Sequence, residues 1–175
     1  MGEKSTYTIA LAGNPNTGKS TVFNALTGAD QHVGNWPGKT VEKKEGRWDY
    51  NGSEYRIVDL PGAYSLSSFT MEEIITRDFI LEDGPDVVVV VVDAANLERN
   101  LYLLVQVMEA GADVILALNM SDVAAARGMD IDESHLSQAL GVPVTSTVAR
   151  KGQGLDELKR VIAATLAKNG RELSS

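Results

Sequence analysis

Gly13-Asn14-Pro15-Asn16-Thr17-Gly18-Lys19-Ser20 reads G-x-x-x-x-G-K-S, and this stretch decides the fold of the chain. It follows an apolar run, Tyr7 to Ala12, with the composition of a buried strand. Behind it, Thr21 to Leu26 opens a helical pattern with Val22, Phe23 and Leu26 on one side. Strand, glycine loop and helix in that order form a phosphate-binding loop. The glycines let the backbone curl until successive N–H groups point at phosphate oxygens. The helix N-terminus adds partial positive charge at the same place. Lys19 supplies a mobile cation for β- and γ-phosphates, and the Ser20 hydroxyl is placed to ligate Mg²⁺.

The bulk properties narrow the class. A chain of 175 residues, 43% of them hydrophobic, suffices for one domain with a full core. We read residues 1–168 as that domain and 169–175 as a polar, frayed tail. The longest clean apolar run, Val87 to Val92, is far short of a membrane span. The N-terminus lacks the apolar core of a signal peptide, so a cytosolic segment is expected. With no cysteine, disulfides and thiolate metal sites are excluded. A net charge of −8 argues against a nucleic-acid binder. The basic residues Lys39, Lys43, Lys44 and Arg47 alternate with Glu42 and Glu45, as in a solvated edge strand. Met1-Gly2 with Thr6 fits the N-myristoylation pattern, which is too loose to carry a modification.

Strands and helices alternate, which predicts an α/β fold with a mainly parallel sheet. Six strands are expected: Tyr7–Ala12, Val41–Tyr50, Ser53–Leu60, Val87–Val92, Asp113–Leu118 and Val142–Ser146. Ala29 to Thr40 has no apolar period and contains Gly34, Pro37 and Gly38, so it reads as a long exposed loop. Asn51-Gly52 is a strong hairpin turn. Helices are expected over Thr70–Leu81 (Ile74, Ile75 and Phe79 inward), Asn96–Glu109, Asp132–Leu140 and Leu155–Ala167. The second of these carries a stripe of Leu97, Leu101, Leu104, Val105 and Met108. Gly13, Asp59, Asp93, Asn119 and Ser146 each follow a strand. In a doubly wound sheet they gather along the carboxyl edge, where ligands bind.

Two further motifs lie on that edge. Asp59-Leu60-Pro61-Gly62 is D-x-x-G: a carboxylate that can hold Mg²⁺ through water, and a glycine N–H free to approach a γ-phosphate. Asn119-Met120-Ser121-Asp122 is N-x-x-D. The Asp122 carboxylate can accept from N1–H and the 2-amino group of guanine, donors that adenine lacks on that edge. Asn119 would brace the loops around the base. Each motif alone is also a common turn; their order and strand-ending positions give them meaning.

In this order the motifs resemble the small GTPase superfamily. The stretches Gly13 to Ser20, Val33-Gly34-Asn35-Trp36-Pro37-Gly38-Lys39-Thr40-Val41-Glu42, Asp59 to Leu66 and Asn119 to Asp122 are similar to the FeoB family of ferrous iron transport proteins. The likeness runs through Glu72-Glu73 and Arg77 to Ile80 and covers about residues 7 to 166. It implies a Ras-like P-loop GTPase fold: a mostly parallel six-stranded sheet, one antiparallel edge strand, and helices on both faces. It implies a cytosolic G domain at the cytoplasmic face of the membrane. A helical regulatory domain and a polytopic membrane domain would follow, with homo-oligomers open. The implied ligands are GTP and GDP with Mg²⁺ on Ser20, Thr40 and Asp59. Asn14, Pro15, Thr17, Thr21, Gly38, Lys39, Leu60, Pro61 and Met120 complete the nucleotide contacts.

The resemblance carries two mechanistic expectations. Ala63 stands where Ras-like enzymes place a water-orienting glutamine, so hydrolysis should be slow, with Lys19, Thr40 and Gly62 left to manage the phosphate. Asn16 matches an asparagine that helps hold K⁺ in potassium-activated members, with backbone carbonyls of Gly34 and Trp36. Thr147-Val148-Ala149 departs from the usual Ser-Ala of the last guanine loop, although the Ala149 N–H is still expected at guanine O6. His32, His135, Glu72-Glu73 and Asp83 read as solvated. Trp36 is left as either an exposed loop anchor or a nucleotide cover. Two rivals stay open: a GTPase of ribosome assembly or tRNA modification, and a nucleotide-sensing module with negligible turnover.

Overall fold

The structure, a computed structural model, describes residues 4–174; Met1-Gly2 of the acylation pattern and Ser175 lie outside them. Seven strands form one sheet: β1 (Thr6–Gly13), β2 (Gln31–Asn35), β3 (Glu42–Tyr50), β4 (Ser53–Asp59), β5 (Val87–Asp93), β6 (Val114–Asn119) and β7 (Val144–Ser146). Their order is β2-β3-β4-β1-β5-β6-β7. Six helices accompany them: α1 (Lys19–Thr27), α2 (Met71–Asp78), α3 (Leu97–Glu109), α4 (Ser121–Ala126), α5 (Glu133–Leu140) and α6 (Leu155–Ser174).

The central strands alternate their side chains between two cores. Ile9, Leu11, Ile57, Val89 and Ile115 face α1 and α6, meeting Phe23, Leu26, Leu158 and Ile162. Ala10, Val58, Val90, Leu116 and Leu118 face the opposite way, toward Ile75, Leu103, Leu104 and Val107 of α2 and α3. Val87 to Val92 are buried along their whole length, as a strand covered on both faces requires. The hairpin turn also forms as expected, with Asn51 at φ 46° and Gly52 at φ 81°, the pair a type I′ turn needs.

The sheet departs from the expected six strands with one antiparallel strand at the edge. Gln31–Asn35, expected in a loop, is a strand paired antiparallel to β3, from Gln31–Gly46 to Asn35–Glu42. The basic strand β3 is therefore second from the edge. All five residues of β2 are exposed, so no apolar alternation marks it; its order comes from backbone pairing with β3 and from the Gln31 amide, which donates to Asn24 Oδ1 and Thr27 Oγ1 of α1 (both 2.9 Å). Trp36-Pro37-Gly38-Lys39 then turns the chain, with Lys39 N donating to Trp36 O (2.9 Å). Gly38 has φ 69°, the left-handed value a type II turn requires after proline.

Other boundaries move for physical reasons. Helix α2 ends at Asp78 and widens into a π-helical turn, Phe79–Asp83, which places Phe79 and Ile80 side by side in the core. In α3 the buried residues are Asn100, Leu103, Leu104 and Val107, whereas Val105 of the expected stripe is exposed. Glu73 is not solvated: it accepts from the Ser67 hydroxyl (2.8 Å) and Phe69 N (3.2 Å). Thr70 Oγ1 accepts from Glu73 N, so this acid belongs to the N-terminal cap of α2. Helix α6 continues past Lys168 to Ser174, tied by Asn169 Nδ2 to Asp113 Oδ2 (3.0 Å), where a frayed tail is expected.

Gly46, buried in β3, is where the sheet meets the end of α1. A Cβ there would lie 2.3 Å from Thr27 Cγ2 and 2.7 Å from Thr27 Cβ. Gly46→Ala is expected to destabilise the domain by about 1–3 kcal/mol through overpacking, measured as a shift in urea midpoint at unchanged slope.

Candidate functional site

The parallel register draws the motifs together. Leu11 pairs with Asp59, Gly13 with Val91, Asp93 with Asn119, and Leu118 with Ser146. The carboxyl ends of β1, β4, β5, β6 and β7 thus lie along one edge.

At the phosphate end, Gly18 (φ 81°) caps α1 and Asn16 (φ 68°) precedes it, both left-handed, which folds the loop back over the helix start. Thr17 Oγ1 donates to Asn14 O (3.0 Å) inside the loop. Lys19 Nζ donates to Leu60 O (2.7 Å) and to Asp59 Oδ1, both ion-pair partners being about nine-tenths buried. Ser20 and Thr21 are exposed at the helix start. A cavity of about 450 Å³ is lined by Asn14, Asn16, Lys19, Ser20 and Gly62, among others. Gly62 packs so close to Pro15 that a Cβ would sit 3.2 Å from Pro15 Cγ. The Ser20 hydroxyl and Asp59 carboxylate are hard oxygen donors of the kind Mg²⁺ takes, so the residues fit that ion.

At the other end stands Asn119, 3% exposed. Its Nδ2 donates to Thr17 O (2.9 Å), while its Oδ1 accepts from Thr147 Oγ1 (3.0 Å) and from Ala149 N (3.1 Å). Three loops therefore meet on one amide, the bracing expected of it. The Ala149 N–H, expected at guanine O6, donates here to Asn119 Oδ1. Met120 is left-handed (φ 59°) and caps α4; Ser121 Oγ donates to Thr147 O (3.2 Å). A cavity of about 110 Å³ is lined by Gly18, Thr21, Met120, Asp122, Val148 and Ala149, among others. Asp122 Oδ1 is buried without a partner, an unsatisfied acceptor suited to a base bearing N–H donors. Arg150, hydrogen-bonded to Asp122, holds its carboxyl below the usual range against the opposing effect of burial.

The segment expected to complete the phosphate end lies elsewhere. None of Gly34, Trp36, Gly38, Lys39 and Thr40 lines the phosphate cavity. Trp36 is 7% exposed, neither a solvent-facing anchor nor a nucleotide cover. Its ring meets Phe79 edge-on at 5.7 Å and lies under Lys43 Nζ at 4.7 Å. Its carbonyl, expected at a potassium ion, accepts from Lys39 N in the turn. Of the three residues expected around that ion, only Asn16 lines the cavity in this conformation. Ala63 is buried, its N–H donating to Gly13 O (3.1 Å), and offers no polar group to a water. His32 and His135 are exposed, and among the described residues no three of His, Asp and Glu cluster as metal ligands. Arg150 and Lys151, the two residues after Ala149, face Asp122. Nothing in the local pattern distinguishes them from surface cations.

Removing the amide that joins these loops is expected to cost stability even without ligand. Asn119→Ala leaves Thr17 O, Thr147 Oγ1 and Ala149 N without this partner, so a loss of about 2–3 kcal/mol is expected, read by chemical denaturation of nucleotide-free protein.

The chain is similar to proteins of one family. The family model described as ferrous iron transport protein B matches residues 7–162. The Fe(2+) transporter FeoB of Methanocaldococcus jannaschii is 54% identical over 157 residues, which are 90% of this chain and 24% of the relative. The chain thus spans about a quarter of the length of such curated relatives. A structure of the FeoB G-domain from Methanococcus jannaschii superposes with a TM-score of 0.83 at 48% identity, covering 93% of this chain and 99% of that one. The cytosolic domain of the T. maritima FeoB iron transporter in a GDP form gives 0.91 at 47% identity, over 94% of this chain and 65% of that one. On the sheet order, the three motifs and these matches, the chain belongs to the ferrous iron transport protein B family and carries its N-terminal, Ras-like G domain.

Proposed function

We propose that this domain binds GTP and hydrolyses it slowly to GDP and phosphate. We propose further that the cycle controls ferrous iron passage through the membrane part of a longer transporter, with the domain on its cytosolic side. The observation that carries the reading is Asn119, which joins the phosphate loop to the loop bearing the base-reading carboxylate. Backbone N–H groups of the loop from Asn14 to Lys19 cradle the phosphates, and Lys19 neutralises charge on the terminal pair. Ser20 and Asp59, with Thr40 from the β2–β3 connection, would hold Mg²⁺. When bound, that ion would supply positive charge to offset the charge of the terminal phosphates. The Gly62 N–H approaches the γ-phosphate; Asp122 accepts from N1–H and the 2-amino group of guanine. Thr147, Val148 and Ala149 wall the base.

No step is routed through potassium, since Gly34 and Trp36 are committed to the hairpin; stimulation by that ion rests on Asn16 alone. The net charge of −8 disfavours the ribosomal or tRNA-directed reading. Buried, apolar Ala63 favours one second reading, a nucleotide sensor with negligible turnover.

Two measurements decide. Asp122→Asn is expected to turn preference from guanine to xanthine nucleotides, and unchanged GTP affinity would refute the base-reading role. Phosphate release at saturating GTP and Mg²⁺ is expected to be slow but present, faster in potassium than in sodium, with Asn16→Ala losing the difference while still binding GTP. Absence of turnover in either salt selects the sensor; equal stimulation in the variant removes the cation role.

A further inference from the structure

The two oxygens of the Asp122 carboxylate are not equivalent. Oδ2 accepts from Arg150 Nη2 and lies 3.5 Å from Lys151 Nζ. Oδ1 is buried and has no partner. The cations come from the short 3₁₀ turn Ala149–Lys151, 28 residues along the chain. That turn starts at Ala149, whose N–H is fixed to Asn119 Oδ1. One buried amide therefore positions the turn, and the turn positions the guanidinium. The turn Ala94–Asn96, which also packs against α4, bears no charged side chain. The neighbouring Asp93 is engaged with Ala95 N (2.9 Å) and Asn96 Nδ2 (2.7 Å). Arg150 and Lys151 are thus the charged groups that face Asp122 among the described residues.

We propose that Arg150 is a positioning residue for guanine recognition: it pins Oδ2 so that the carboxylate presents Oδ1, and the remaining lone pair of Oδ2, to the base edge. This inference rests on the base-reading role of Asp122 proposed above. A carboxylate on the short Asp side chain otherwise rotates about a broad, roughly two-fold terminal torsion. A planar guanidinium held from the adjacent turn removes that freedom before the base arrives. The Arg150 side chain is 65% exposed and Asp122 23%, so screening keeps the direct ion-pair contribution small. Positioning and protonation, rather than attraction, carry the effect. The same contact lowers the carboxyl's pKa. The ionised form, which is the acceptor, is therefore retained to lower pH than in an unpaired aspartate.

The test compares nucleotide affinities of wild type, Arg150→Gln, Arg150→Lys, Asp122→Asn and the Arg150→Gln/Asp122→Asn double variant, with thermal midpoints confirming that each folds. Arg150→Gln is expected to weaken GDP binding roughly two- to five-fold at neutral pH, with Arg150→Lys recovering much of it. The acid fall in GDP affinity should begin at higher pH in Arg150→Gln than in wild type. In the Asp122→Asn background, Arg150→Gln should leave xanthosine diphosphate affinity unchanged. Equal weakening there would mean that Arg150 acts on the phosphates, and this overturns the proposal. Unchanged or tighter GDP binding in Arg150→Gln, or superimposable acid limbs, overturns it as well. Failure of Asp122→Asn to gain xanthosine diphosphate would instead overturn the base-reading role itself.

Discussion

One buried side-chain amide constrains this site. Asn119 spends its donor on the phosphate loop, at Thr17 O, and its acceptor on the loop after β7, at Thr147 and Ala149. The partners lie 102 and about 30 residues away in sequence, yet the sheet delivers them without further adjustment. Adjacent parallel strands in register place Asp93 beside Asn119 and Leu118 beside Ser146. A fully buried amide left unpaired is costly, so these loops hold a common geometry or none. Gly18 shows how little slack remains: a Cβ there would lie 2.3 Å from Asn119 Nδ2.

Charge is arranged at the phosphate end in a complementary way. Lys19 and Asp59 neutralise each other in a part-buried setting, with Leu60 O as the lysine's second partner. Separating such a pair without replacing its charges is unfavourable. A metal–phosphate complex replaces both at once, the anionic part taking the lysine and the cation the carboxylate. On the proposed reading, the metal and the triphosphate are one composite ligand for this site rather than two independent ones.

Much of this was legible in the chain because its signals are local. The glycine loop between an apolar run and an amphipathic run, the valines of β5, and Asn51-Gly52 each specify geometry within a few residues. The motif residues at strand ends followed from the alternation of elements. What escaped was set by distant contacts. β2 carries no apolar period because all its side chains are exposed, and it is its pairing with β3, with the Gln31 amide tied to α1, that orders it as a strand. Trp36 is buried because Phe79 and the π-helical turn lie under it, a seat assembled from residues more than forty positions away. Glu73 looked like solvated surface beside Glu72, but the cap of α2 folds the Ser67–Phe69 segment onto it. Arg150 reads as any surface cation until the loop after β7 is laid beside α4.

The indole seat of Trp36 has a mechanical consequence. On the proposed reading, a motion carrying Thr40 toward the phosphates would work against the two features that flank it, the buried Trp36 ring and the β2–β3 ladder. Yet the buried indole N–H has no acceptor, a deficit of about 1–3 kcal/mol carried by the resting arrangement. One side chain thus both anchors the edge of the sheet by its packing and carries an unpaired donor into the core.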